Sequence, residues 1–193
     1  MQTGPLDRLS RTSAAVGDLV DGVRADQWSG PTPCDDWTVA RLVSHLVGMN
    51  RVFASMLLEQ PPPAREAVPD DRLAAAYRET AATLVEAFAR PGVLGRSFAG
   101  PRGTVTGEER LRIRLYDLLA HGWDVARATG QPALLPQDAA EQALSFVRGQ
   151  LRDEDRPGRF APAQEIADEA PAVDRLVAFL GRRVQGGPGT PST

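Results

Sequence analysis

The chain is short of several things at once. Among 193 residues it has one cysteine and two histidines, and it has no lysine, so all 22 of its basic side chains are arginine. A single cysteine, Cys34, cannot close an internal disulfide, so the fold must hold by packing. No stretch approaches the ~20 predominantly apolar residues that cross a bilayer. Residues 1–11 lack the charged segment followed by an apolar run that marks a secretory signal. These two features lead to the expectation of a cytoplasmic protein without membrane contact. There is no basic arm or block either. Net charge is −3, the sequence pI is near 5.5, and charges of both signs are interspersed, which argues against nucleic acid as a partner. Arginine in place of lysine, beside abundant alanine, glycine and proline, reflects GC-rich coding and says little about chemistry.

What the chain does have is helical periodicity, on a length that suits one well-buried domain. Leu6, Leu9, Val16, Leu19, Val20 and Val23 predict a first helix from Pro5 to Val23. Gly30, Pro31 and Pro33 break the pattern, and Asp36 or Thr38 is placed to cap a second helix from Thr38 to about Leu58. Its stripe is Val39, Leu42, Val43, Leu46, Val47, Phe53, Met56 and Leu57. After Pro61-Pro62-Pro63, an alanine-rich third helix is expected from about Asp71 to Arg90. Residues 91–106, with their glycines and prolines, read as a partly irregular connection, and no convincing strand is seen. A fourth helix follows over Gly107 to Thr129, a fifth over Gln137 to Leu151 and a short sixth around Val173 to Leu180. Glycine, proline, serine and threonine from Gly186 to Thr193 predict a disordered tail.

The fourth helix carries the chemistry. Leu111, Leu115, Leu118, Leu119, Gly122, Val125 and Ala126 form its apolar stripe, and Asp117 and His121, four residues apart, share the flank of that stripe. His45 lies at the equivalent margin of the second helix, and two such margins can meet inside a bundle. Two imidazoles and a carboxylate suit a divalent metal with an open coordination position, zinc first, nickel or iron(II) as alternatives. The blander reading is a packed histidine and a plain i,i+4 pair. Asp124 is a candidate to accept an imidazole proton or orient a water, although its wheel angle favours a solvated acid paired with Arg127. Trp37 and Trp123 are expected in the core, Cys34 as an inert small side chain, and Arg110, Arg112 and Arg114 on a solvated face.

Two segments then match something known. Thr32-Pro33-Cys34-Asp35-Asp36-Trp37-Thr38-Val39 with Leu42-Val43-Ser44-His45-Leu46-Val47-Gly48, and later Asp117-x3-His121-Gly122-Trp123-Asp124-Val125-Ala126-Arg127-Ala128-Thr129-Gly130, resemble the mycothiol-dependent, maleylpyruvate isomerase-like metalloenzymes of actinobacteria, within the DinB/YfiT-like superfamily. The resemblance implies an all-α, up-down-down-up four-helix bundle in which His45, Asp117 and His121 hold the metal. Where the isomerase type has glutamate, this chain has the shorter aspartate. The isomerase also carries an additional C-terminal domain, and the run after Gly130 is too short for all of it, so maleylpyruvate is not the expected substrate.

These readings lead to the following expectations. Residues 1–130 form the metal-binding bundle and residues 131–185 a C-terminal helical extension packed on it. The function is divalent-metal-dependent chemistry in which a low-molecular-weight thiol such as mycothiol attacks a small electrophile, in a transferase or isomerase reaction. The rival is a non-catalytic metal-binding stress or interaction protein on the same bundle. Homodimerisation through an apolar helix face is left open.

Overall fold

The computed structural model of the chain describes residues 3–184 apart from 35, 65, 101, 102, 157 and 159. The tail expected to be disordered, 186–193, lies outside the described residues. Among the described residues six α-helices form: α1 (Pro5–Asp21), α2 (Val39–Leu57), α3 (Leu73–Ala89), α4 (Gly107–Thr129), α5 (Gln137–Gln150) and α6 (Ala172–Phe179). Their ends follow from local chemistry. The Thr38 side chain accepts from the Arg41 amide to start α2. Thr106 and Glu109 form a reciprocal capping box at the start of α4, and Gly130 ends it in the left-handed region at φ 71.

Contacts at the helix ends set the directions of the first four. Gln131 donates to the Leu19 carbonyl (2.9 Å) and Gln27 to the Thr129 carbonyl (2.9 Å), so the C-terminal ends of α1 and α4 lie together and the two helices run parallel. Arg114, early in α4, reaches the Leu46 carbonyl on α2. Trp37, just ahead of α2, stacks on His121 further along α4. The second helix therefore runs antiparallel to the fourth. Glu59, just past α2, pairs with Arg96, just past α3, at 2.7 Å, which makes α2 and α3 parallel. The result is the up-down-down-up bundle. Its core is built from Leu9, Val16, Leu42, Leu46, Leu84, Leu118 and Leu119, with Phe88 and Tyr77. The fifth helix packs on α1 and α4, and the sixth on α4 and α5. No helix among the described residues is long and apolar enough to cross a membrane.

The connection at 91–106 differs from expectation. Strands β1 (Ser97–Gly100) and β2 (Gly103–Thr106) pair antiparallel, with Phe98 opposite Val105. At four residues each they are too short to show alternation against the surrounding glycines, yet Thr104-Val105-Thr106 is β-branched throughout. Phe98 is buried, which ties the hairpin to the core.

A glycine also sets how closely α4 meets the Val16 side chain of α1. A Cβ at Gly122 would lie 2.7 Å from Val16 Cγ2, so the helix that carries His121 sits tight against α1 only because residue 122 is glycine. Gly122→Ala is expected to destabilise by about 1–3 kcal/mol through overpacking. Val16→Ala should recover part of that loss in the double variant, read as denaturant midpoints; independent, additive losses would show that this contact does not set the spacing.

Candidate metal centre

The site begins with spacing on α4. Arg114, Asp117, His121 and Asp124 fall three, four and three residues apart, which puts all four on one face. The bundle buries that face beneath α2 and the segment following α6. Arg114 has no exposed surface, although it is the largest fully buried side chain. Its guanidinium donates to the Leu46 carbonyl (3.0 Å), to Asn50 Oδ1 (2.7 Å) and to Asp117 Oδ2. With Oδ2 taken, Asp117 turns Oδ1 toward two imidazoles: His121 Nε2 lies 3.5 Å away and His45 Nε2 3.9 Å away. Side-chain exposure is 29% for His45, 22% for Asp117 and 13% for His121. The three residues singled out from the sequence are therefore brought together, on two helices, with their donor atoms within 4.8 Å of one another.

The other nitrogen of His121 faces a second carboxylate. His121 Nδ1 lies 3.1 Å from Asp124 Oδ2, and an ionised Asp124 can only accept, so Nδ1 carries a proton and Nε2 is the nitrogen that faces Asp117. Asp124 is fully buried rather than solvated, and its partner is not Arg127. Arg182, beyond α6, grips it with two bonds, Nη2 to Oδ2 at 2.9 Å and Nε to Oδ1 at 3.3 Å. Arg127 instead lies over the Trp123 ring at 5.6 Å. A wheel angle cannot show a salt bridge that arrives from 58 residues away.

Cys34 and Trp37 are delivered by the turn before α2. The Thr32 hydroxyl accepts from the Cys34 amide (3.1 Å) and lies 3.0 Å from the Trp37 carbonyl, while the Thr32 amide donates to that same carbonyl. Trp37 is consequently a wall of the site and not a core residue: its ring centroid is 4.9 Å from that of His45 and 6.0 Å from that of His121. Trp123 is buried as expected, and its indole donates to Asp174 at 2.8 Å. Cys34 is half-buried, its sulfur 3.1 Å from Asp124 Oδ2 and 3.8 Å from His121 Nδ1. Burial first, then the Asp124 charge, pushes its thiol up to about 12 against the opposing Arg182. A cleft of about 1280 Å³ opens on this side, lined among others by Cys34, Trp37, His121, Trp123, Arg127 and Arg182.

The expectation of a solvated arginine face holds for Arg112 alone, which is exposed and pairs with Glu108. Arg110 and Arg114 are buried. The signal for Arg114 was present, since it stands three residues after Leu111 and four before Leu118 and so falls on the apolar stripe. Asn50 carried the same signal, three residues after Val47 and three before Phe53 on the α2 stripe, and is fully buried; Arg182 had none.

A family described as the mycothiol maleylpyruvate isomerase N-terminal domain matches residues 9–126. The uncharacterized protein Rv0738 of Mycobacterium tuberculosis is 40% identical over 186 residues, covering 94% of this chain and 99% of the relative. A second uncharacterized protein of that organism, Rv0036c, is 27% identical over 154 residues, covering 70% of this chain and 59% of the relative. Among solved structures, a mutant form of the mycothiol-dependent maleylpyruvate isomerase superposes with a TM-score of 0.60 at 14% identity, covering 74% of this chain and 68% of that one. The same enzyme in a second structure gives 0.57 at 13% identity, with the same coverage. At such identity the structural likeness speaks for the fold.

The electrostatics make a prediction for the metal-free protein. Burial opposes ionisation of Asp117, but the Arg114 charge and the two imidazoles outweigh it and hold the carboxyl well below the usual carboxylate range. Asp124 is likewise lowered, its burial outweighed by His121 and Arg182. A carboxyl lowered in the folded state stabilises above its unfolded pKa of ~3.9, and that stabilisation is lost as pH falls toward the folded value. Unfolding free energy should therefore drop steadily below about pH 4. Asp117→Asn should be less stable at neutral pH, because Arg114 loses its counter-charge, yet show a shallower acid loss. Equal acid slopes in denaturant titrations would contradict this.

Proposed function

The chain belongs to the mycothiol maleylpyruvate isomerase N-terminal domain family, and from that premise we propose that it is a divalent-metal-dependent enzyme using a low-molecular-weight thiol, mycothiol or a chemical equivalent, to attack a small electrophile. The reaction is a thiol transfer or a thiol-assisted isomerisation. The observation that carries the reading is the convergence of His45 Nε2, His121 Nε2 and Asp117 Oδ1, with the remaining His121 nitrogen held by Asp124.

The donor set fits the ion. Tetrahedral zinc with bonds of ~2.0–2.1 Å to nitrogen and oxygen separates its ligands by a little over 3 Å. The carboxylate-to-imidazole distances of 3.5 and 3.9 Å need only a small contraction to match. Zinc is the expected ion, with nickel and iron(II) accepted by the same donors. A divalent ion here supplies a positive charge that keeps a thiol ionised at neutral pH. Arg114 compensates for the short aspartate by fixing its carboxylate between the two helices. Asp124 sets the His121 tautomer, Trp37 shields both imidazole rings from water, and the adjoining cleft receives the thiol and the electrophile. We take residues 1–130 as the metal-binding bundle and 131–185 as the extension that completes the cleft wall, in a cytoplasmic enzyme.

The purified protein is expected to hold close to one divalent ion per chain by elemental analysis, and His121→Ala to lose it. With mycothiol and a panel of small electrophiles, thiol consumption should require the ion and vanish in His45→Ala. Metal uptake without metal-dependent thiol consumption would instead indicate a non-catalytic metal-binding protein. Unchanged metal content in His121→Ala would overturn the ligand assignment.

A further inference from the structure

His121 is flanked by donors on both sides, and the Asp117 side accounts for only one of its nitrogens. On the other side, Cys34 Sγ, His121 Nδ1 and Asp124 Oδ2 form a closed triangle with edges of 3.1, 3.1 and 3.8 Å. A single four-coordinate ion with bonds of ~2.0–2.3 Å sets its ligands ~3.3–3.6 Å apart, so the triangle needs adjustments of only a few tenths of an ångström. The three residues come from the turn before α2 and from two successive positions on one face of α4, and Thr32 fixes the turn.

We propose that Cys34, His121 Nδ1 and Asp124 form a second seat for a thiophilic divalent cation of the zinc type, sharing His121 with the His45–Asp117 seat and alternating with it. The alternation follows from imidazole chemistry. A neutral ring has one nitrogen lone pair and one N–H. An ion on Nε2 leaves the proton on Nδ1, where Asp124 accepts it. An ion on Nδ1 moves the proton to Nε2, where Asp117 Oδ1 stands 3.5 Å away. A carboxylate is therefore already placed for either tautomer, and one ion per chain is the rule. Occupying the second seat also displaces the Cys34 proton to solvent, so the ion gains a thiolate and a carboxylate.

Charge and existing bonds rank the two seats. Once the ion has displaced the Cys34 proton, the thiolate and Asp124, set against Arg182, hold the cation with one net negative charge. Asp117 and Arg114 leave none, so the second seat has the stronger field and the softer donor. Filling it, however, disrupts the bonds that His121, Cys34 and Arg182 make to Asp124 Oδ2. Asp117 already presents Oδ1 to both imidazoles. The first seat therefore fills first in the intact chain, and the second is revealed when the first is disabled.

This inference rests on the metal reading above only through the shared His121, and cobalt(II) separates the two. Because Cys34 is the only cysteine, any thiolate-to-cobalt charge-transfer absorption reports that side chain alone. The apo protein, His45→Gln and His45→Gln/Cys34→Ser would be titrated with cobalt(II), with His45→Ala as a second background and circular dichroism confirming the fold of each. The expected result is about one cobalt per chain throughout the first two. The near-ultraviolet thiolate band should be weak in the native chain and strong in His45→Gln. Adding Cys34→Ser should abolish the band and weaken binding at least tenfold. A His45→Gln protein that takes up no cobalt, or takes it up with no thiolate band, overturns the second seat while leaving the first standing. A strong thiolate band in the native chain, unchanged by His45→Gln, supports the second seat and overturns the first.

Discussion

A guanidinium with no solvent exposure must have its charge and its donors met by the protein, and Arg114 imposes that condition on the bundle. Its partners are the Leu46 carbonyl, the Asn50 amide oxygen and the Asp117 carboxylate. Two of these lie on α2 and one on α4, so satisfying Arg114 fixes the rotation and height of one helix against the other. Breaking a buried pair of this kind by removing one partner costs about 3–5 kcal/mol. The same bonds decide what the site can do. One Asp117 oxygen is consumed, the other is aimed at His45 and His121, and the shorter side chain is carried far enough into the bundle to meet both.

The second constraint is Asp124, which collects bonds from three separate parts of the chain: the turn before α2 through Cys34, α4 through His121, and the stretch beyond α6 through Arg182. The C-terminal stretch is thereby joined to α4 at a fully buried carboxylate. The cleft beside His121 exists because that stretch returns to the site, and Arg182 both closes the wall and neutralises the acid behind the histidine. The ordered polar face of α4, from Arg114 to Asp124, thus supports the site at both ends.

Much of this was readable from the residues. Hydrophobic period located all six helices, and for α4 the expected span Gly107–Thr129 matches at both ends, where the structure shows Thr106 with Glu109 and then Gly130 closing the helix. The margin positions of His45, Asp117 and His121 pointed to one another, and the structure brings them together. The hairpin at 97–106 was hidden because four-residue strands carry too little alternation. Asp124 was misread for a physical reason: a side chain on the flank of a stripe looks solvated until a distant segment covers it, and nothing near Asp124 in sequence announces Arg182. Arg114 was misread by chemical type, although its position was that of a core residue. A charge on an apolar stripe is better taken as a sign of a buried pair than of a solvated face.

The central claim is that His45, Asp117 and His121 hold one divalent ion through Nε2, Oδ1 and Nε2. Anomalous diffraction from crystals of the metal-loaded native protein, recorded at the absorption edge of the bound ion, tests it most directly. The account predicts one strong peak at ~2.0–2.2 Å from each of those three atoms. A metal-saturated crystal with no peak between α2 and α4, or with its ion on Nδ1 of His121 or away from that residue altogether, would contradict it.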